Sequence, residues 1–208
     1  MRILCRVLPR HRRRHPSSEP NGIGGAGRPW GRPVGGFHGP CDFARCLPRL
    51  GVSFPFVMSE HKAIINWVRT GPDFLGGRYS REHTWTFDGG ITVPVSPSPT
   101  IVPAPFSNPA NVDPEEAFVA AISSCHMLGF LFLASRQGFQ VESYRDEAVG
   151  VMTKNDKGVP WVSLVTLWPK VAYGGQRLPE PGDIDRLHHL AHEQCFIANS
   201  VKTEIVIR

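Results

Sequence analysis

Two cysteines, Cys125 and Cys195, are the residues of this sequence best suited to covalent chemistry. They lie 70 residues apart, and each falls in a segment that predicts a helix. If the two helices pack together, one thiol can attack a peroxide and the other can resolve the sulfenic acid as a disulfide. A free cysteine on an apolar helix face is more often a small hydrophobic side chain. The pair alone therefore leaves both interpretations open.

Several histidines accompany these cysteines and offer a different chemistry. His188, His192 and Cys195 follow the i, i+4, i+7 spacing of one helix face, and His126 is next to Cys125. Imidazole and thiolate groups at such spacing can bind zinc, with Cys125 as a fourth ligand. Helical histidines also cap, pack or face solvent. A zinc-binding module built on Cys125, His188, His192 and Cys195 is therefore the alternative hypothesis.

Two charged residues could assist a reactive thiol. Arg78 follows two glycines on a predicted loop and could favour a thiolate or orient a hydroperoxide, although a solvated loop arginine is the simpler interpretation. Glu115 precedes Cys125 by ten residues, about 15 Å along a continuous helix, which is too far for a side-chain contact. We expect Glu115 to reach a Cys125 only across a dimer interface or through a sharp bend. Otherwise it complements the helix dipole.

The helix that carries Cys125 has clear signals at both ends. Asp113 can act as the N-cap, Pro114 suits the first helical position, and Glu116 completes a capping box. Gly138 is placed as a residue that follows the last turn. Apolar residues at helical spacing predict that Cys125 lies on a stripe facing a core. They are Phe118, Ala121, Ile122, Leu128 and Phe132.

The remaining elements predict an α+β domain with helices packed on antiparallel sheet. Short strands are predicted at 63–69, 79–87 and 91–95, and a long hairpin at 139–153 and 161–172. A second helix is predicted from Asp183 to about Ile197, and a closing strand at 201–207. The order of strands, helix, hairpin, helix and strand does not alternate as βαβ units would.

The composition divides the 208 residues at Met58. Residues 1–57 carry ten Arg, two acids and 17 Gly or Pro, with a net charge of +8 and no apolar periodicity, which is a disordered composition. Three interpretations are open: a targeting segment, a nucleic-acid-binding arm at residues 12–14, or an extension outside the folded protein. We favour the third, with Met58 as the natural start.

Residues 58–208 give little reason to expect a nucleic-acid or membrane partner. Their net charge is −3, and no stretch approaches 18 consecutive apolar residues. They hold two cysteines, too few for a disulfide scaffold, which favours a reducing compartment. We therefore expect a cytoplasmic domain.

The sequence around both cysteines resembles a known family. An Asp-Pro-Glu-Glu run at 113–116 leads to Ser-Cys-His at 124–126, and Ala-His-Glu-Gln-Cys at 191–195 is followed by Asn-Ser at 199–200. Together with the upstream Gly-Gly-Arg loop, these motifs resemble the OsmC/Ohr family of osmotically inducible and organic hydroperoxide resistance proteins, over residues 63–207. The resemblance implies an α+β OsmC-like fold. In that fold, antiparallel sheets pack on two central helices, and two subunits intertwine as a homodimer with active sites at their interface.

The resemblance also implies a thiol peroxidase that reduces alkyl or fatty-acid hydroperoxides. Cys125 matches the peroxidatic cysteine and Cys195 the resolving one. Arg78 and Glu115 match the charged pair that holds the thiolate, and Arg81 remains an alternative to Arg78. The implied reductant is a lipoylated protein or dihydrolipoamide, and no metal or organic cofactor is expected. A family member that keeps the thiols only for packing is the third possibility.

Overall fold

The computed structural model describes residues 58–208. The predictions made for residues 1–57, including their disorder and their separation from the domain, lie outside the described residues and stay predictions. From Lys62 to Arg208 the described residues belong to one compact unit.

The first helix, α1, spans Pro114–Arg136 and begins as its sequence predicts. The Asp113 carboxylate accepts a hydrogen bond from the Glu116 backbone N–H at 2.7 Å, and the Glu116 side chain accepts one from the Asp113 N–H at 3.4 Å. Gly138 follows the helix with a φ of 78°, a left-handed conformation that favours glycine. The capping box and the terminating glycine are both confirmed.

The buried face of α1 differs from the predicted stripe. The buried residues are Ile122, His126, Phe130, Leu133 and Ala134. By contrast, two residues of the predicted stripe, Leu128 and Phe132, are 61% and 47% exposed, and Cys125 is half-buried at the edge of the buried face. The helix is apolar on nearly every side, so its periodicity does not single out one face.

Three short antiparallel strands precede α1. They are β1 (Ala63–Asn66), β2 (His83–Phe87) and β3 (Thr92–Val95), in the sheet order β1-β2-β3. The second strand begins four residues later than predicted, because the chain before it makes a turn closed by a bridge between Asp73 and Arg78. Every residue of β1 is exposed within this chain.

Five strands follow α1 in the chain. They are β4 (Gln140–Asp146), β5 (Val149–Lys154), β6 (Pro160–Leu167), β7 (Pro169–Gly174) and β8 (Glu204–Ile207). The hairpin of β5 and β6 is confirmed, with antiparallel pairing on either side of the turn that begins at Asn155. The outer halves β4 and β7 pair in a separate two-stranded sheet.

The prediction of one continuous long hairpin was therefore wrong. Asp146, at the end of β4, accepts hydrogen bonds from the Trp168 backbone N–H and from the Ser123 hydroxyl of α1. These bonds lie where each predicted long strand is interrupted, between β4 and β5 and between β6 and β7. The two halves of each predicted strand therefore pair in different sheets. The last strand, β8, pairs with β6 in parallel, which corrects the expectation of purely antiparallel sheet.

The second helix, α2, spans Pro181–Glu193 and ends about four residues earlier than predicted. The helices pack on the sheets through two apolar clusters. One joins α1, α2 and the β4–β7 sheet through residues such as Phe130 and Leu187, and the other joins α1 to the sheet that contains β6 through Ile122 and Val165. The prediction of an α+β domain with helices packed on sheet is confirmed.

Helix α1 is long and apolar enough, by length and composition, to cross a membrane, with a mean hydropathy of 1.9 in a window that is 28% buried. Core helices of globular proteins satisfy the same criteria, so this is weak evidence for a membrane span. The expectation that the protein has no membrane partner stays a prediction.

Candidate active site

The structure brings Cys125 and Cys195 together. The two thiols lie close enough for Cys125 to influence the pKa of Cys195, and both are free. Cys125 lies in the interior of α1 and is half-buried, whereas Cys195 lies in the turn after α2 and is 2% exposed. Cys195 is therefore not a helical residue, as the sequence predicted, yet it still meets Cys125.

A compact turn holds Cys195 in place. The Asn199 side chain donates hydrogen bonds to the carbonyl oxygens of Glu193 and Cys195, both at 2.9 Å. The Ala198 backbone N–H donates to the Cys195 sulfur at 3.4 Å, within a turn that continues into a short 3₁₀ helix, Ala198–Ser200. The Asn-Ser pair noted in the sequence thus closes the turn around the second thiol.

Burial determines the protonation state of Cys195. Desolvation, followed by the hydrogen bond with Cys125, raises the pKa of the Cys195 thiol to about 11, because both disfavour the thiolate. At neutral pH Cys195 is therefore a protonated thiol that can donate a hydrogen bond to Cys125. Of the two residues, Cys125 is the more exposed.

The Gly-Gly-Arg loop directs Arg78 to a partner that the sequence analysis missed. The Arg78 guanidinium forms an ion pair with the Asp73 carboxylate at 2.6 Å, and its side chain is 74% exposed. Gly77 adopts a φ of 76°, and Gly76 packs against the Asp73 carboxylate so closely that a Cβ atom there would collide with it. The paired glycines thus allow the tight turn from Asp73 to Arg78.

Arg81 is held more firmly than Arg78. Its Nη1 donates to the carbonyl oxygens of Gly77 and Tyr79 at 3.0 and 2.8 Å, and its guanidinium lies 3.9 Å from the centre of the Tyr79 ring. Arg81 also lines a cavity of about 550 Å³ with the aromatic side chains of Trp67, Phe74 and Tyr79. These contacts give Arg81 a role in holding the loop and leave Arg78 the easier of the two to reorient.

Glu115 lies in the first turn of α1, where it is half-buried. It lines a groove of about 710 Å³ together with residues such as Asp113, Val119 and Ser123. Neither cysteine lines this groove, and the hydrogen bonds and ion pair of Arg78 end on Asp73. The fold of a single chain thus joins the two cysteines and does not show Arg78 or Glu115 in contact with them.

The alternative zinc ligands do not assemble within residues 58–208. No group of three or more His, Cys, Asp or Glu side chains in that range is arranged to hold a metal ion. His188 instead faces His126 across the helix interface, with Nδ1 of His188 3.0 Å from Nε2 of His126. The two rings are 2% and 4% exposed and lie within 9° of parallel.

This histidine pair was missed in the sequence because its members lie 62 residues apart on two helices. One signal could have indicated His126: it falls on the helical spacing of the face that is in fact buried, with Ile122, Phe130 and Leu133. For His188 the amphipathic pattern of α2 places the side chain beside the buried Leu187 and Ala191.

The fold and the paired thiols define a two-cysteine α+β domain, and comparison with known proteins assigns it to a family. Residues 107–208 match the family described as OsmC-like protein. An OsmC-like protein of unknown function from Vibrio cholerae is 55% identical, with a TM-score of 0.71 over 73% of this chain and 99% of that one. The chain belongs to the OsmC-like family, which confirms the resemblance seen in the sequence.

More distant solved structures share the fold. An organic hydroperoxide resistance protein from Elizabethkingia anophelis is 16% identical, with a TM-score of 0.53 over 74% of this chain and 95% of that one. An OsmC-like protein from Mycoplasma pneumoniae is 10% identical, with a TM-score of 0.54 over 73% and 96%. No curated protein matches the chain.

Proposed function

We propose that this chain is a cysteine-based peroxidase that reduces organic hydroperoxides, alkyl or fatty-acid, to alcohols. The observation that carries the proposal is the contact between Cys125 and Cys195, one half-buried and one buried and protonated. The family and the likeness in fold to an organic hydroperoxide resistance protein favour this substrate class. A thiol pair kept only for packing would not need one of its residues to be partly exposed.

The reaction follows from the two environments. The Cys125 thiolate attacks the distal oxygen of the hydroperoxide, the O–O bond breaks, and the alcohol leaves with a proton, so that Cys125 becomes a sulfenic acid. The Cys195 sulfur then attacks that of Cys125, its proton leaves with the displaced hydroxyl as water, and a disulfide forms. A dithiol, which we take to be dihydrolipoamide or a lipoylated protein, reduces the disulfide and restores both thiols.

The proposal includes an intertwined homodimer. Ile64 and Ile65 of β1 are 66% and 62% exposed, and Leu128 and Phe132 expose an apolar face of α1. Such apolar surface is typical of a chain that packs against a second copy. The N-terminal sheet of one subunit would then cover α1 of the other and bring Arg78 to the partner's Cys125, while Glu115, at the start of α1, would reach the same Cys125 across the interface.

Intact mass spectrometry under non-reducing conditions tests the proposal. Residues 58–208 and the full chain are each treated with one equivalent of cumene hydroperoxide. We expect both to lose two hydrogens, mapped to a peptide that links Cys125 and Cys195. Free thiols after treatment would favour the non-catalytic family member, and a co-purifying metal that protects the thiols would favour the zinc-binding module. Loss of solubility on removal of residues 1–57 would show that they belong to the fold.

A further inference from the structure

Three contacts of α1 with α2 and the turn after it bear on the position of the thiols. The Cys125 thiol interacts with that of Cys195, and His126 contacts His188. At a third position, a Cβ atom on Gly129 would lie 3.6 Å from the carbonyl oxygen of Ala191 in α2, so the two helices approach closely there. On α1 these residues follow the order Cys125, His126, Gly129, whereas on the facing segment Ala191 lies between His188 and Cys195, so the three contacts belong to one helix interface.

The two rings are firmly placed. His126 and His188 share a hydrogen bond, and the Phe130 ring stacks on His188 at a centroid distance of 4.3 Å. The charged or titratable groups that influence them are His192, which acts on His126, and Asp185, which acts on His188. Burial lowers the pKa of His126 to about 3 and that of His188 to about 4, so both rings are neutral at physiological pH.

Burying a neutral histidine pair in an apolar core has a free-energy cost. Two neutral imidazoles carry two N–H groups, and the shared hydrogen bond uses one of them. The outer nitrogens, Nδ1 of His126 and Nε2 of His188, are buried without a hydrogen-bond partner in the described part of the chain. One buried N–H is thus left unpaired, whereas two apolar side chains would fill the same space without that penalty. What the histidines add is a directional bond between the helices.

We propose that His126 and His188 form a positioning pair, which sets the spacing of α1 and α2 at which the Cys125 and Cys195 thiols meet. The proposal rests on the proposed function, because it assigns the pair a role in bringing the resolving thiol to the peroxidatic one. Apolar contacts between the helices are not directional and do not by themselves set one spacing. The hydrogen bond fixes the spacing one residue away from Cys125.

The test is the equilibrium between the two thiols and the disulfide in buffers of reduced and oxidised dithiothreitol, followed by intact mass. Forming the protein disulfide oxidises Cys125 and Cys195 and reduces one cyclic dithiothreitol disulfide, so no peroxide is needed. The variants are a double His126→Leu/His188→Leu, which removes the bond, and a double His126→Gln/His188→Asn, whose amides can restore it. The surface variant His189→Leu, on the same helix, is the matched control.

We expect the leucine pair to lower the equilibrium constant for disulfide formation about tenfold, which equals about 30 mV for a two-electron couple. For the amide pair and the control, the equilibrium constant should stay within about threefold of the wild-type value. The melting temperature of the leucine pair should be unchanged or higher. If the leucine pair does not fold, His188→Phe gives the same comparison, because it keeps a ring against Phe130 and removes both ring nitrogens.

The outcomes separate this inference from the proposed function. Two results would overturn the positioning role and leave the peroxidase proposal standing. One is a folded leucine or phenylalanine variant with the wild-type equilibrium constant for disulfide formation. The other is an amide pair whose equilibrium constant is lowered as far as that of the leucine pair. A wild-type protein that forms no Cys125–Cys195 disulfide in these buffers would overturn both. A disulfide that depends on the histidines but does not form with hydroperoxide would overturn the peroxidase proposal alone.

Discussion

The helix interface and the N-terminal sheet of this protein differ in how far one chain completes them. Between α1 and α2, the thiols and the histidines meet in pairs, and of these four residues only Cys125 is more than a few per cent exposed. In the N-terminal region, β1 is exposed along its whole length and Arg78 points to solvent beside Asp73. The thiol pair is thus built by the fold of one chain, whereas we propose that a second copy completes the charged pair.

The largest predicted effect lies at the helix interface. We expect Cys125→Ser to lower hydroperoxide turnover at least ~10³-fold, because only this thiol attacks the peroxide. Cys195→Ser should consume about one equivalent and then stop as a sulfenic or over-oxidised acid. Stopped-flow peroxide consumption and intact mass measure both. A Cys195→Ser protein with no first turnover would reverse the two roles.

The second prediction concerns the N-terminal region and the choice between two arginines. Arg78→Ala should lower kcat/KM about 10²-fold with little change in stability, since an exposed ion pair contributes little to folding. Arg81→Ala should instead destabilise the fold by about 1–2 kcal/mol, because it loses two hydrogen bonds and the stacking on Tyr79. Measurements of kcat/KM and of urea unfolding distinguish the two variants. A loss of activity in Arg81→Ala and a loss of stability in Arg78→Ala would make Arg81 the functional residue.

A third prediction concerns the stability of the helix interface as the pH changes. His126 and His188 have folded-state pKa values lowered to about 3 and 4, so their contribution is complete above pH 6.5 and is lost as the pH falls below it. Between pH 6.5 and 5, above the range in which most carboxylates titrate, unfolding free energy should fall by up to ~1.4 kcal/mol per pH unit for each histidine.

Urea unfolding at several pH values measures this slope, with the His126→Leu/His188→Leu protein as the control that lacks it. A slope in the wild type no steeper than in this control would show that the pair does not remain neutral in the fold.

The smallest predicted effect tests whether the two regions meet across subunits. Cys125→Ser and Arg78→Ala proteins are each nearly inactive, but refolding them together should restore about a quarter of the wild-type activity, since half of the dimers are mixed and each has one complete site. A mixture of Cys125→Ser with Cys195→Ser is the control for the resolving thiol, which lies in the same chain. No recovery with Arg78→Ala would place the arginine and cysteine within one chain.

The comparison also shows where sequence reasoning succeeded. The start of α1 at Asp113 and its end at Gly138 were predicted because capping bonds and left-handed glycines involve residues within four positions of each other. The turn that begins at Asn155 is equally local: its side chain accepts hydrogen bonds from the backbone two and four residues later. Both cysteines and the family were also evident from the sequence.

The tertiary structure decided the rest. Which face of α1 is buried could not be predicted, because the helix is apolar on most sides. The elements that pack against α1 determine which face is buried. Cys195 lies beyond α2, in a turn where the Asn199 side chain donates hydrogen bonds to the carbonyl oxygens of Glu193 and Cys195. The histidine pair likewise joins residues distant in sequence. Sequence by itself determined the local caps, turns and reactive residue types, and long-range packing determined which of those residues meet.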